Sequence, residues 1–339
     1  MAFHGWPISQ CQSPSTRLTV QLVGGIRALD IRLAVIPPPA PGSKTLTSDQ
    51  QLIAYHGLWP QRTPFMTILN DIQFFLSSPL GCKETVVMSI KQEDFAVTPA
   101  PLFSQLVHQS IVSGPGGWAS SDQKSNKSSV NKGMWFLENR IPKLGEVRGK
   151  VVMLSRFGGN GDGWEGGLEG LGIHPTTWPD SEKEGFEWEL KGTRVRTHDW
   201  YSIPSFFSIP EKVYLGTKNL IPPTNTQQPL LPITYFSAAS FPLAFPPTIA
   251  KGFGWPKWGI GIEGVNSRLG KWLLDQLGGT SDANGKGMKE DKEKVSAAEE
   301  PRIRGWTFLD YYAEPEDGGI IPLLVECNYR GRKKGVEGW

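Results

Sequence analysis

Cysteine is scarce in this 339-residue chain, and its spacing matches neither a disulfide framework nor a metal site. The three cysteines, Cys11, Cys82 and Cys327, lie far apart, and no Cys-x-x-Cys pair occurs. Disulfide-rich secreted domains and zinc modules need several closely spaced cysteines. We therefore expect these thiols to be buried or idle, with no part in a disulfide, zinc or redox site.

Long apolar runs are also missing. A membrane-spanning helix needs about 20 consecutive apolar residues, and no window of the sequence approaches that length. The first ten residues, MAFHGWPISQ, lack the basic and apolar regions of a signal peptide. The sequence predicts a soluble protein without a transmembrane segment, either secreted or cytoplasmic.

Net charge of one sign is likewise small. The chain has 35 Lys and Arg against 33 Asp and Glu, which gives a formal charge of +2. A global field that would attract nucleic acid or an anionic membrane is therefore not expected. Any recognition of an anion must come from a local group of side chains, and we expect no nucleic acid partner.

Short β-branched segments alternate with helix-like segments, as is typical of βα units around a parallel sheet. Helices are expected near residues 18–23, 64–77 and 261–277. A closed barrel of this class has eight strands. The sequence therefore predicts a single α/β domain over residues 1–339, a TIM-type barrel that lacks its first strand, with a flexible insertion at 278–302. Seven strands are expected, at 28–35, 51–55, 85–90, 151–154, 193–198, 231–236 and 304–309.

Reactive side chains follow or end most of these predicted strands. In a parallel barrel such residues converge on one mouth. Each one alone is more often a helix cap or a solvated loop residue. Together, three cations, several carboxylates, one His and one Tyr suit a substrate that has both a phosphate and many hydroxyls. The candidates are Asp30, Arg32, His56, Lys91, Glu93, Arg156, Asp199, Tyr201 and Asp310.

At these residues the sequence resembles a known family. The strings QLVGGIRALDIRL, LIAYHG, ETVVMSIKQED, LGEVRGKVVMLSRF and GWTFLDYY resemble, in order over residues 21–311, successive strands of the bacterial-type phosphatidylinositol-specific phospholipase C catalytic domain. The resemblance implies a PLC-like phosphodiesterase that acts on an inositol phospholipid at a membrane surface. In that reaction the inositol 2-hydroxyl attacks phosphorus, diacylglycerol leaves, and a cyclic inositol phosphate forms.

The resemblance also implies a role for each candidate residue. His56 resembles the general acid, and its unperturbed pKa of about 6.5 suits proton transfer near neutrality. Arg32 resembles the group that neutralises the phosphate, since a guanidinium is always charged and can bind two oxygens. Asp310 resembles the carboxylate that supports the general-base His. The positions where the family binds inositol are matched by Lys91, Arg156, Asp199 and Tyr201. Asp30 and Glu93 are supporting candidates.

Calcium-dependent relatives place an acidic ligand where this chain has Arg32, so the resemblance implies no metal cofactor. Other barrel phosphodiesterases, of the glycerophosphodiester or sphingomyelinase D kind, rely on acidic metal ligands at strand ends. A magnesium requirement would favour that alternative.

The chain departs from the family at its start. The Gly-Thr-His-Asp type motif that carries the general-base His does not occur, and Met1 matches a position just after it. His4 lies on the following loop, and we expect it to be an exposed loop residue and not a replacement base. Two hypotheses follow: an N-terminally truncated phospholipase, monomeric if its barrel is complete, or an inactive protein that binds inositol-lipid head groups.

Aromatic residues are concentrated in the segment FPLAFPPTIAKGFGWPKW, residues 241–258. They fit two interpretations. Aromatic side chains are most often part of a core. Trp and Phe beside a lipid-binding mouth also insert into membrane interfaces. The sequence leaves both open.

Overall fold

The computed structural model describes residues 9–118, 131–223, 228–278, 302–315 and 319–331. Two compact units divide the chain, the first formed mainly by residues 1–180 and 187–195, the second by 181–186 and 196–338. Each unit is described below by itself. The expected single domain stays a prediction, and both His4 and residues 279–301 of the expected insertion lie outside the described residues.

A seven-stranded sheet forms the centre of the first unit, in the order β3-β2-β1-β4-β7-β6-β5. Strands β1, β4, β7 and β6 run parallel, whereas β2 is antiparallel to β1, β3 to β2, and β5 to β6. The strands are β1 (Ala28–Ile36), β2 (Gln51–His56), β3 (Trp59–Pro64), β4 (Thr85–Gln92), β5 (Asn131–Lys132), β6 (Trp135–Phe136) and β7 (Lys150–Arg156).

The two faces of this sheet differ because side chains alternate along a strand. In β1, Leu29, Ile31 and Leu33 are buried in the hydrophobic core together with apolar side chains of the helices. Asp30 and Arg32 alternate with them and therefore lie on the opposite face. The unit's helices are α1 (Leu18–Val23), α2 (Phe65–Ser77) and α3 (Ala100–Ser113).

The second unit has its own core, formed by residues that include Ile209, Phe236 and Leu269. Strands β10 (Leu230–Tyr235) and β13 (Trp306–Phe308) pair in parallel, and β11 (Gly252–Trp255) and β12 (Ile260–Glu263) form an antiparallel hairpin. The helices are α4 (Ile209–Leu220), α5 (Pro246–Lys251), α6 (Val265–Gly278) and α7 (Ile320–Cys327). Strands β8 (Phe186–Leu190) and β9 (Thr193–His198) belong to the part of the sequence that changes from one unit to the other, since residues 187–195 are assigned to the first unit and their flanking residues to the second.

Each of the seven segments expected to be strands contains a strand, and the three expected helices are present. Two details of the expectation are wrong. Strand β2 is antiparallel to its neighbour β1 and is not part of a parallel βα unit. The helix expected at 261–277 begins at Val265, because residues 260–263 pair with β11 and this pairing outweighs their helical periodicity. Among the described helices, none combines the length and the hydropathy needed to cross a membrane.

Gly305 precedes β13 at a point where the backbone leaves no room for a side chain. Its φ is +119°, and a Cβ atom there would lie 2.4 Å from the carbonyl oxygen of Pro232. We expect Gly305→Ala to lower the free energy of unfolding by more than about 2 kcal/mol, because strain and overlap both act. Gly259→Ala is the matched control, since φ there is +75° with no atom nearby. Denaturant unfolding of both variants tests this, and equal losses would contradict it.

Candidate active site

Three cations lie in one row across neighbouring parallel strands of the first unit. Arg32 of β1 pairs in register with Lys91 of β4, and Lys91 pairs with Arg156 of β7. Residues paired in a sheet share one face. Their shared face is the one opposite the hydrophobic core, so three positive side chains converge at the C-terminal ends of β4 and β7 and beside them on β1.

Two carboxylates connect these cations. Asp30 Oδ2 accepts from Arg32 Nε at 2.9 Å, and Asp30 Oδ1 lies 3.3 Å from Arg156 Nη1. Glu93 Oε1 accepts from Arg32 Nη1 at 3.2 Å and lies 3.7 Å from Lys91 Nζ. Five of the predicted residues, Asp30, Arg32, Lys91, Glu93 and Arg156, thus form what we call the ionic network. With three cations against two carboxylates, it is suited to an anion.

Neighbouring groups keep the Asp30 carboxylate ionised. Burial by itself would raise the pKa of Asp30, but Arg32 and Arg156 outweigh that effect, and the Ser89 hydroxyl, which donates to Oδ1 at 2.7 Å, assists them. The pKa of Asp30 therefore lies well below its ordinary value. For Lys91 the balance is reversed, since burial and the charge of Arg32 lower its pKa and Glu93 opposes them.

Arg156 is fixed from a second direction. Its guanidinium carbon lies 3.8 Å from the ring centroid of Trp178, and only 5 % of its side chain is exposed. A cation over an indole face is attracted by the negative potential of the ring. The stacking holds Arg156 in place while its Nη1 contacts Asp30.

His56 ends β2 at a tight turn through Gly57 and Leu58. It pairs with Trp59 of β3, and Gly57 takes a positive φ of +57°, as a two-residue hairpin turn requires. The antiparallel course of β2 brings His56 back along β1 to the ionic network. This is a correction to the expectation that His56 follows the end of a parallel strand.

The groups around the His56 imidazole shift its pKa in both directions. Burial lowers the pKa of His56, and the positive charge of Arg32 lowers it further. A hydrogen bond with Ser9, and the charges of Glu93 and Asp30, act in the opposite direction. On the side of Nδ1, the Ser9 carbonyl oxygen lies at 2.7 Å and Cys11 Sγ at 3.5 Å.

The remaining predicted residues, Asp199, Tyr201 and Asp310, belong to the second unit. Asp199 directly follows β9 and is buried, Asp310 follows β13, and Tyr201 is half-buried with its carbonyl accepting from the Ala239 amide. Asp199 and Asp310 both act on the fully buried Lys212 of α4. Burial lowers the pKa of Lys212 to about 7, and the two carboxylates oppose that fall.

Lys212 donates to the carbonyl of Tyr235 at 2.6 Å, and its charge reaches the buried His198. Burial and then Lys212 lower the pKa of His198 to about 3, so this imidazole stays neutral near pH 7. Among the described residues, no three His, Cys, Asp or Glu side chains cluster in a way that could hold a metal ion.

Known protein families and solved structures give different results. No family model matches the sequence. Structures of the phosphatidylinositol-specific phospholipase C of Staphylococcus aureus match, with TM-scores of 0.59, 0.58 and 0.57. Identity is 18 %, 17 % and 20 %, over 94 % to 95 % of this chain and 84 % to 87 % of those chains.

The chain has the phosphatidylinositol-specific phospholipase C fold. The α/β barrel class predicted from the sequence is confirmed at the level of the fold. Whether a first strand is lacking stays a prediction, because residues 1–8 lie outside the described part and residues 9–27 contain α1 but no strand.

Several residues that interact with the predicted site residues within each unit were not predicted from the sequence. Ser89 could have been found, because it lies two residues before Lys91 on the same face of β4. Trp178 and Lys212 carry no local signal, since one lies in a loop and the other on a helix. Ser9, 47 positions before His56 in the sequence, contacts the imidazole through tertiary structure alone, and Gln61 of β3 contacts Ser9.

Asp30 and Glu84 offer a comparison of two ion pairs with the same geometry. Asp30 accepts from Arg32 Nε and Glu84 from Arg27 Nε, each at 2.9 Å, but Asp30 is 16 % exposed and Glu84 42 %. We expect Asp30→Asn to lower the free energy of unfolding by roughly 3 kcal/mol at pH 7, because two shielded arginines lose their partner. Glu84→Gln should cost less than about 1 kcal/mol.

The Asp30–Arg32 ion pair should make the free energy of unfolding depend on pH. Since the pKa of Asp30 is lowered on folding, its stabilisation is present above the unfolded value of about 3.9 and is lost as pH falls further, through the folded value. The difference between wild type and Asp30→Asn should therefore narrow below about pH 4. Chemical denaturation at pH 7 and pH 3 measures it, and a difference that grows on acidification would refute the assignment.

Proposed function

We propose that this chain cleaves the phosphodiester of an inositol phospholipid by acid-base chemistry that needs no metal ion. The observation that supports this most directly is the register-matched row of Arg32, Lys91 and Arg156 with His56 beside it. The row provides fixed positive charge, and the imidazole provides a proton. In the proposed reaction the inositol 2-hydroxyl oxygen attacks phosphorus and releases its proton to solvent, and diacylglycerol leaves with the proton of His56, which yields a cyclic inositol phosphate.

Arg32 is the residue proposed to stabilise the negative charge that develops on the non-bridging oxygens of the phosphate. Its guanidinium is held by Asp30 through Nε and by Glu93 through Nη1. Such prior orientation costs nothing during the reaction, which is why fixed charges are effective in catalysis. Lys91 and Arg156 are proposed to contact the phosphate or the ring hydroxyls. Asp199 and Tyr201 of the second unit are further candidates for substrate binding. Asp310 is proposed as a supporting carboxylate.

His56 is the proposed general acid, which donates a proton to the departing glycerol oxygen. In the structure burial and Arg32 lower the pKa of His56, which favours the neutral ring. A bound phosphodiester adds a negative charge beside that ring and raises its pKa. Substrate binding would thereby favour the protonated form that a general acid requires.

A second candidate function is binding of the inositol-lipid head group without turnover. In the described part of the first unit, His56 is influenced by the charges of the ionic network, whereas His108 packs against Trp164 and His174 Nδ1 lies 3.0 Å from the Ser155 hydroxyl oxygen. A positioned acid and base contribute factors of about 10² to 10⁴ each. A chain that holds the cationic row and His56 but no base would bind well and react slowly.

Cleavage of phosphatidylinositol by wild type and two variants tests the proposal. We expect Arg32→Lys to lower kcat/KM by about 10² or more, since a lysine lacks the two-point geometry of the guanidinium. Arg27→Lys is the control, because Arg27 pairs with the exposed Glu84. Addition of EDTA should leave the rate unchanged.

Three results would change the assignment. A magnesium requirement would favour a metal-dependent phosphodiesterase. Binding of inositol phosphate without any cleavage by wild type would favour the head-group binder. Equal effects of Arg32→Lys and Arg27→Lys would remove Arg32 from the catalytic role.

The β11–β12 hairpin of the second unit is the proposed contact with the membrane. Trp255 and Trp258 are 68 % and 82 % exposed, and Ile260 and Phe253 of the same hairpin are also exposed. Large exposed apolar groups gathered in one place mark an interaction surface, and Trp is favoured at lipid interfaces. One of the similar Staphylococcus aureus structures addresses membrane binding of that enzyme.

Replacement of both tryptophans tests this surface. We expect Trp255→Ala combined with Trp258→Ala to weaken binding to phosphatidylinositol-containing vesicles by at least tenfold, because two indoles leave the interface. The control combines Tyr214→Ala with Leu274→Ala, two exposed apolar residues on α4 and α6. Vesicle sedimentation measures both, and binding that is unchanged in the tryptophan variant would exclude the hairpin.

A further inference from the structure

We propose that Ser9 and Gln61 are positioning residues that hold His56 with its proton on Nδ1 and leave Nε2 for proton transfer. This rests on the role of His56 in the proposed function. Two hydrogen bonds fix the ring, one from the buried Gln61 amide to the Ser9 hydroxyl and one between His56 and the Ser9 carbonyl.

The first link sets the tautomer. Nδ1 of His56 lies 2.7 Å from the carbonyl oxygen of Ser9. A carbonyl oxygen can only accept, so the hydrogen of this bond must be on Nδ1. A neutral imidazole has one N–H, and Nε2 therefore carries the lone pair. The thiol of Cys11, 3.5 Å from the same nitrogen, adds a weak contact on that side.

The second link holds the carbonyl. Gln61 Nε2 donates to the hydroxyl of Ser9 at 2.9 Å and to the carbonyl of Trp59 at 3.1 Å. Gln61 is fully buried and Ser9 nearly so. A buried amide fixed at two points orients its partner far better than an exposed one.

The hairpin of β2 and β3 joins the two links. Trp59, which accepts from Gln61, is also the strand partner of His56. The imidazole and the amide that holds its acceptor are thus built on one rigid turn. Ser9 comes from a distant part of the sequence and is tied to this turn through its side chain and through its carbonyl.

Other charged or titratable groups also lie around the ring. Arg32 and Asp30 lie on β1, Glu93 follows β4, and Cys11 lies on the segment that carries Ser9. Among these influences the bond to Ser9 raises the pKa of His56. Loss of that bond should therefore lower the pKa, and a general acid then loses activity at a lower pH than before.

Nitrogen NMR of the whole chain tests the assignment without any substrate. The ring-nitrogen shifts of His56 report which nitrogen carries the proton, and a titration gives its pKa. We expect the neutral ring of wild type to be protonated at Nδ1. Ser9→Ala keeps the carbonyl but removes the hydroxyl, and Gln61→Met removes the donor, so each should give mixed tautomers and a lowered pKa.

Three further variants separate positioning from general damage. Gln50→Met removes another buried amide of the first unit, one that donates to Pro37 and accepts from Thr47, and should leave the His56 shifts unchanged. Ser9→Thr retains a hydroxyl and should restore the wild-type tautomer. Ser9→Ala combined with Gln61→Met should resemble either single variant, because each breaks the same bond.

Activity adds a second readout. In Ser9→Ala we expect kcat to fall about tenfold with little change in KM, a part of the factor that a positioned acid contributes. The alkaline limb of the pH profile should move to lower pH. Absence of cleavage by wild type would refute the proposed function, while the nitrogen shifts would still decide the positioning.

Two results would overturn the inference. One is a wild-type His56 whose neutral ring is protonated at Nε2. The other is a folded Ser9→Ala protein in which tautomer and pKa equal those of wild type. Alanine at a small buried position rarely prevents folding. The Ser9→Ala comparison therefore still decides the question even if Gln61→Met unfolds the protein.

Discussion

The lateral register of three parallel strands is the constraint on which the candidate site depends. Pairing of β1 with β4 and of β4 with β7 sets Arg32, Lys91 and Arg156 at one level of the sheet. A shift of one residue in either pairing would move a cation to the core face, where its charge could not be solvated. The hydrophobic alternation of the strands that builds the core therefore also fixes the chemistry on the other face.

Placing three cations together costs free energy, and the sheet offsets this with two carboxylates. Asp30 and Glu93 each contact two of the cations, and Ser89 completes the shell of Asp30. The net local charge stays positive, which suits a phosphate ester. The second unit also has a buried cation whose charge is opposed by carboxylates, since Asp199 and Asp310 act on Lys212.

Much of the fold could be predicted because its strands carry strong local signals. Segments such as ETVVMSI and VVML are short, β-branched and bounded by polar residues, and each contains a strand in the structure. The antiparallel direction of β2 was missed, because strand direction depends on a turn and on neighbours that periodicity does not encode. The β11–β12 hairpin was missed for a similar reason, since glycine-rich pairing overrode a helical pattern.

The α/β class, the positions of seven strands and the residue types at their ends can be predicted from the amino-acid sequence, whereas β3, β5, β6, β8, β11 and β12 were not predicted. The first group can be predicted because hydrophobic period and strand-end chemistry are local properties of the chain. Tertiary contacts bring the functional groups together: the cation row, the partners of Asp30, the stacking of Trp178 on Arg156, and the link from Gln61 through Ser9 to His56. Those contacts join residues up to 126 positions apart, and they are fixed by strand register and loop packing, which no short window of sequence specifies.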